Sequence, residues 1–352
     1  MEKIKLKGLS FTELAELIAT WGEARYRADQ IYTWVFRHLV RSYAEMTNLP
    51  VWLRARLEED TVLETTTVAR REFSPATGTV KLLFSLLDGQ AVEGVLMRYR
   101  NWFSACISSQ VGCRMGCRFC ASTLGGLARN LEAAEMVDEV VALEREARGA
   151  GGRIRSVVLM GTGEPLDNYD NVLRFIHLIA QPQGLGIGYR RITLSTCGLV
   201  PGIRRLAREG LPITLSVSLH APNDELRERL MPVNRSYPLT ELLPACREYA
   251  EQTGRRVTFE YALIAGVNDS LEHARELVGL LQGFTAHVNL IPLNPVVERK
   301  LKRPNPRRVS AFAAVLKARG IPTTVRRELG TDISAACGQL RHQVLKDEGM
   351  LR

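Results

Sequence analysis

The sequence predicts an α/β fold. The expected form is an open, partial β/α barrel of about six parallel strands, with a small N-terminal helical domain and a β-hairpin extension. Two observations carry this. Apolar, strand-like runs at 102–108, 154–160, 191–196, 212–219, 257–264 and 286–292 alternate with helical stretches at 132–147, 168–181, 199–209, 239–253 and 270–282, and a further helix is expected at 309–319. Such alternation makes a parallel sheet covered by crossover helices, as an open barrel or a doubly wound sheet. The chemically suggestive residues also follow the strands, and α/β folds gather their chemistry at the strands' carboxyl ends.

Residues 1–60 read as the helical domain. Ser10-Phe11-Thr12-Glu13 is a capping box, in which two backbone donors are satisfied reciprocally. Phe11, Leu14, Leu17, Ile18 and Trp21 then recur at helical spacing, and Gly22 ends the helix. A second helix is expected from Arg25 to His38, with Ile31, Trp34 and Val35 facing inward. A third opens at Leu49-Pro50 with Pro50 in its first position. Six arginines decorate this unit, but its charges nearly balance, so RNA contact and plain packing both fit. Residues 61–98 turn to β character, with a hairpin signal at Asp88-Gly89. Glu93 lies in the second hairpin strand, where a carboxylate is expected to face solvent. Residues 99–352 form the barrel with its C-terminal appendages.

A chain of 352 residues exceeds one core and implies two or more units. No 18-residue apolar run exists, so no membrane association is expected. The charged N-terminus lacks a signal peptide's apolar region, and seven cysteines, three of them clustered, suit ligation and redox chemistry in a reducing cytoplasm. The net charge of +9 is concentrated: residues 301–352 hold 11 basic and 4 acidic side chains, which is +7 of it. Arg299-Lys300-Leu301-Lys302-Arg303-Pro304-Asn305-Pro306-Arg307-Arg308 has six cations, no acid and two prolines. A basic loop of this kind fits a phosphate backbone, or equally a solvated surface.

The chemistry centres on Cys113, Cys117 and Cys120, spaced C-x3-C-x2-C. Thiolates at this spacing converge on a metal or a cluster. Three ligands where four are usual leave a coordination position open for substrate or cofactor; zinc with a distant fourth ligand is the alternative. Gly161-Thr162-Gly163-Glu164-Pro165 follows the second strand, and its glycines let backbone approach a ligand. Glu164 can accept from an ammonium group. Ser195 ends the third strand, Ser218-Leu219-His220 the fourth and Asn294-Pro295 the sixth. Together they describe a pocket for a ligand with an amino-acid end and a nucleoside end. Cys337 sits among small residues before Gly338, which suits an accessible nucleophile. Cys106, seven residues before Cys113, can serve as a resolving thiol. Cys197 and Cys246 read as apolar packing.

These motifs resemble the RlmN/Cfr family of radical S-adenosylmethionine RNA adenine methyltransferases. The likeness is carried by Cys106-Ile107-Ser108-Ser109-Gln110-Val111-Gly112-Cys113, Arg129-Asn130-Leu131, Gly163-Glu164-Pro165-Leu166 and Asp332 to Leu340, with Glu45 to Pro50 in the helical domain. Pro165 and Val111 look like the carbon-2 branch; the carbon-8 branch tends to carry Ala and Cys there. Thr162 departs from the family's usual Met, and altered packing without lost chemistry is expected. The resemblance implies a [4Fe–4S] cluster on Cys113, Cys117 and Cys120. It implies S-adenosylmethionine, two molecules per turnover, held by Gly163, Glu164, Ser195, Ser218, Leu219, His220 and Asn294. It implies methylation of Cys337, transfer to adenine through a covalent protein–RNA adduct, and resolution by Cys106 through a disulfide with Cys337. Glu93 matches the proposed proton acceptor, a role Cys106 could also fill. The substrates implied are 23S rRNA and, in dual-specificity members, the tRNA adenosine beside the anticodon. A flavodoxin-like electron donor and a monomer are expected. The competing reading from another class is a zinc-stabilised RNA-binding module.

Overall fold

The computed structural model describes residues 3–100, 102–294, 296, 298–327, 329–330 and 333. Cys337 therefore lies outside the described residues.

The helical domain begins with a short strand β1 (Ile4–Lys5), followed by α1 (Phe11–Thr20), α2 (Tyr26–Thr33), α3 (Val51–Asp60) and β2 (Thr61–Val62). The capping box forms as expected: the Ser10 hydroxyl accepts from the Glu13 amide at 3.2 Å, and the Glu13 carboxylate from the Ser10 amide at 2.7 Å. The expected second helix runs on through a π-helical turn at Trp34–His38, which ends on Leu39 in a left-handed conformation. Pro50 is the residue before α3 and not its first.

Among the described residues, one sheet of ten strands forms the frame of the rest: β3 (Thr66–Phe73), β4 (Val80–Leu86), β5 (Ala91–Arg98), β6 (Phe103–Cys106), β9 (Ile154–Leu159), β10 (Ile192–Thr196), β11 (Thr214–Ser218), β12 (Val257–Leu263), β13 (Ala286–Pro292) and β14 (Thr323–Val325). Two further strands, β7 (Gln110–Gly112) and β8 (Leu127–Asn130), make a separate antiparallel ribbon. Strands β6 and β9 to β14 are parallel. Their order in the sheet follows the chain without reversal. A doubly wound sheet needs a switch point where the order reverses. Without one, right-handed crossovers place every helix on the same face, and the other face curls inward as a partial barrel. The helices are α4 (Ala133–Gly149), α5 (Tyr169–Ala180), α6 (Val200–Arg208), α7 (Asp224–Leu230), α8 (Leu239–Thr253), α9 (Leu271–Leu281) and α10 (Pro306–Ala318).

Two features exceed the expectation. β14 adds a seventh parallel strand. The 61–98 hairpin does not stand apart, because β5 pairs antiparallel with β6, placing Val95 opposite Cys106. The helical domain docks on α4: Lys7 ion-pairs with Asp138, and Arg145 donates to the Leu39 and Val40 carbonyls at 2.9 and 2.8 Å. One apolar core runs through both parts. Among the described residues no helix is long and apolar enough to cross a membrane.

Candidate active site

A cavity of about 640 Å³ lies inside the curled sheet and extends to the carboxyl ends of its strands. Cys106, Cys113, Cys117, Cys120, Gly163, Glu164, Ser195, Ser218, His220 and Asn294 all line it. Residues scattered over the sequence thus share one chamber.

The three-cysteine loop leaves β7 and returns through β8. Its geometry is set by backbone bonds: the Cys113 amide donates to the Gly126 carbonyl at 2.8 Å, and the Arg118 amide to the Leu230 carbonyl at 2.9 Å. Thr123 ties the loop together, donating to the Cys117 and Cys120 carbonyls at 3.2 and 3.0 Å. Burial pushes the Cys113 thiol up to about 12 and the Cys117 thiol higher still. Buried thiolates of this kind need a cationic partner, which iron supplies. A cube of irons spreads its thiolates over separate metals, so three thiols on one short loop fit a cluster with one iron left open.

Glu164 is buried at the wall beside this loop. Its carboxylate accepts from the Leu166 amide at 3.1 Å and the Cys197 amide at 2.7 Å. Burial nevertheless raises its proton affinity, so a ligand ammonium here would offset the cost of its charge. Cys197, expected as packing, also lines the cavity, whereas Cys246 is fully buried in the core. The glycines, which line the cavity, also serve a second purpose. A Cβ on Gly161 would lie 2.5 Å from the Ile107 carbonyl, and one on Gly163, at φ +113°, would lie 2.7 Å from the Gln110 amide nitrogen. They let the loop after β9 press against the loop after β6. Thr162 between them is buried, with its hydroxyl unpartnered, as a position built for an apolar side chain would leave it.

His220 sits in the left-handed region at φ +58°, uncommon for a residue with a side chain. Its surroundings enforce this: its carbonyl accepts from Asn268 Nδ2 at 2.7 Å, and its Nδ1 accepts from the Ala262 amide at 2.8 Å. An accepting Nδ1 puts the proton on Nε2. Burial lowers its pKa to about 3, so the ring is a neutral donor. Leu219 does not join the lining; it is fully buried and its amide donates to the Glu260 carbonyl.

Glu93 corrects its expected exposure. It is 4% exposed and ion-paired with the wholly buried Lys81 at 2.9 Å. It lies beside the lined wall rather than in it. Cys106, 5% exposed, ends β6 in the wall itself. The chain returns to the cavity at Arg326, Arg327 and Leu329, eight residues before Cys337. In the basic segment, Lys300, Lys302 and Arg303 are exposed as expected, but Arg307 and Arg308 belong to α10. Arg299 turns inward to donate to Thr123 at 3.2 Å, so this segment touches the cysteine loop.

Sequence reasoning missed two lining or supporting residues. Glu260 accepts from Ser216 at 2.7 Å and Asn289 at 2.9 Å inside the barrel; its signal was a lone acid within an apolar strand. Arg227, fully buried, donates to the Cys197 carbonyl at 2.7 Å and the Ser218 carbonyl at 3.2 Å, joining the ends of β10 and β11. In the charged run Asp224-Glu225-Leu226-Arg227-Glu228-Arg229 it looks like any surface arginine.

Residues 107–278 match the model of the radical SAM superfamily, and residues 4–63 that of the ribosomal RNA large subunit methyltransferase N-terminal domain. A probable dual-specificity RNA methyltransferase RlmN from Symbiobacterium thermophilum is 57% identical over 96% of this chain and 91% of its own length. A relative of the same description from Pelotomaculum thermopropionicum is 56% identical over 97% and 93%. The crystal structure of a radical SAM methyltransferase from Sphaerobacter thermophilus superposes with a TM-score of 0.93 at 51% identity, covering 96% of this chain and 98% of that one. The chain belongs to the radical SAM family, as an RNA methyltransferase of the RlmN type.

Proposed function

We propose that this enzyme methylates carbon 2 of adenine in 23S rRNA, and of the tRNA adenosine beside the anticodon, through a methylated cysteine. The supporting observation is that Cys106 shares one chamber with the three loop cysteines, while the chain leading to Cys337 comes back to the same chamber. Cys113, Cys117 and Cys120 would hold the [4Fe–4S] cluster. Glu164 would take the amino group of S-adenosylmethionine, with Gly163, Ser195, Ser218, His220 and Asn294 around the rest and Leu219 adding backbone only. When bound, these groups supply a methyl group and a carbon-centred radical, using two molecules of S-adenosylmethionine per turnover and an electron from a flavodoxin-like donor.

The protein's own residues do the rest. Cys337 sulfur carries the one-carbon unit and becomes bonded through it to adenine. Glu93 takes the carbon-2 hydrogen as a proton, and the odd electron returns to the redox chain that supplies the site. Cys106 thiolate then attacks Cys337 sulfur. The S–S bond forms as the sulfur–carbon bond breaks, its electron pair passes to the adenine-bound carbon, and a proton completes the methyl. Cellular thiols reduce the disulfide, which suits an enzyme working in the cytoplasm.

The test is mass analysis of RNA after reaction. 2-Methyladenosine is expected; 8-methyladenosine would transfer the enzyme to the other branch. A Cys106→Ala variant should accumulate a protein–RNA adduct on denaturing gels. Free methylated RNA without adduct would remove Cys106 as the resolving thiol.

A further inference from the structure

We infer that Lys81 is a positioning residue of the reaction: it holds Glu93 charged and aimed at the substrate carbon. The inference rests on the proposed role of Glu93 as proton acceptor. Its own basis is the placement of a fully buried lysine beside the cavity wall.

In the sheet, Lys81 of β4 lies opposite Val95 of β5, and Val95 lies opposite Cys106 of β6. Val95 and Cys106 both line the cavity. Side chains directly opposite share a face, and those two residues apart on a strand do as well. Glu93 and Lys81 are therefore on the cavity face. Glu93 is two residues along β5 from Val95, diagonal to the proposed resolving thiol. The Lys81 ammonium is 2.9 Å from the Glu93 carboxylate, with 0% and 4% of the two side chains exposed. Both side chains sit just behind the lining residues, with the Lys81 ammonium on the Glu93 carboxylate, so Lys81 would act on the reaction through Glu93.

A buried charge is tolerated when paired and becomes costly when its partner is removed. The neighbours of Glu93 sharpen this. From α4, Glu139 approaches the other face of β5 at Gly94, and its carboxylate accepts from the Ser108 amide at 3.1 Å. Burial raises the Glu139 carboxyl well above the usual range. Glu135, also of α4, is occupied by Arg129 at 2.8 Å. Cys106 stands on the β6 side. Lys81 thus brings a positive charge to Glu93, beside acids on α4 and the Cys106 thiol. Without it, the buried Glu93 carboxylate would lose the ammonium that offsets its charge and fixes its direction. In the transfer itself only the carbon–hydrogen bond breaks. Its electron pair stays on the purine, the proton goes to the carboxylate, and Lys81 changes neither charge nor bonding.

Four holoenzymes test this: Lys81→Met, Lys81→Arg, Glu93→Gln and the double variant Lys81→Met with Glu93→Gln. Lys81→Met should still bind iron and still show the +14 mass on the Cys337 peptide, because neither needs Glu93. Its rate of RNA methylation should fall roughly 10²-fold, the scale of lost acid–base catalysis, and recover in part at higher pH. Lys81→Arg should restore most of the rate. The double variant, whose neutral pair is easier to bury, should match Glu93→Gln alone. Lys81→Met methylating RNA at the parent rate with the parent pH profile would overturn the inference. So would equal loss of iron and of the +14 peptide in Lys81→Met, or a double variant slower than Glu93→Gln by the full Lys81 factor. Full activity in Glu93→Gln would remove Glu93 as proton acceptor, and the inference with it; an impaired Glu93→Gln beside a normal Lys81→Met would remove Lys81 alone.

Discussion

His220 must stay neutral to keep accepting from the Ala262 amide, and this makes the protein acid-sensitive at a definable place. Its folded pKa of about 3 lies below the unfolded value of about 6.5. Between these values the unfolded chain binds the proton and the folded chain does not. Its contribution is therefore intact above about pH 6.5 and is lost as pH falls toward 3, at about 1.4 kcal/mol per pH unit. His220→Asn keeps a side-chain acceptor and tolerates the left-handed backbone. Urea midpoints of the anaerobic holoprotein should show it less stable at pH 7 and less pH-dependent between 6.5 and 4; a parallel downward shift at every pH would contradict the assignment. The sequence shows His220, Glu164 and the cysteines through their position after strands. It does not show Lys81 meeting Glu93, because that pairing depends on register between two strands. Nor does it show Arg227, whose burial is invisible in a run of charges.

The alternation of apolar runs with helical periods was enough to locate the six longest parallel strands. β14 escaped because three residues carry no period. The union of the hairpin with the barrel escaped for a different reason: local patterning says that a segment is a strand but not which strand it joins. The turn after β9 gives a test at this scale. Gly163→Ala would force a Cβ to within 2.7 Å of backbone at φ +113°. It should destabilise the fold by about 2–4 kcal/mol and lower the cofactor affinity, seen as a reduced melting temperature and weaker S-adenosylmethionine binding by calorimetry. Unchanged values for both would mean that the two loops can separate enough to admit a methyl group.

At the scale of the molecule, charge and connectivity do separate things. The exposed cations Lys300, Lys302, Arg303, Arg307 and Arg308 are expected to meet phosphates, whereas Arg299 is committed to Thr123. Replacing the five with glutamine should reduce the slope of log affinity for an RNA hairpin against log salt by about 0.7–0.9 for each phosphate no longer neutralised. A filter-binding series from low to high salt measures it, and an unchanged slope would return the segment to plain surface. Connectivity bears on synthesis. Because the strands of the large sheet are laid down in chain order from β3 to β14, each new strand leaving the ribosome finds its neighbour already made. Growth is at one edge only, and no finished strand need be parted to admit a later one. At about 5–20 residues per second the wall strands are laid down before Cys337 emerges, so the sulfur proposed to carry the methyl group would reach a site already built.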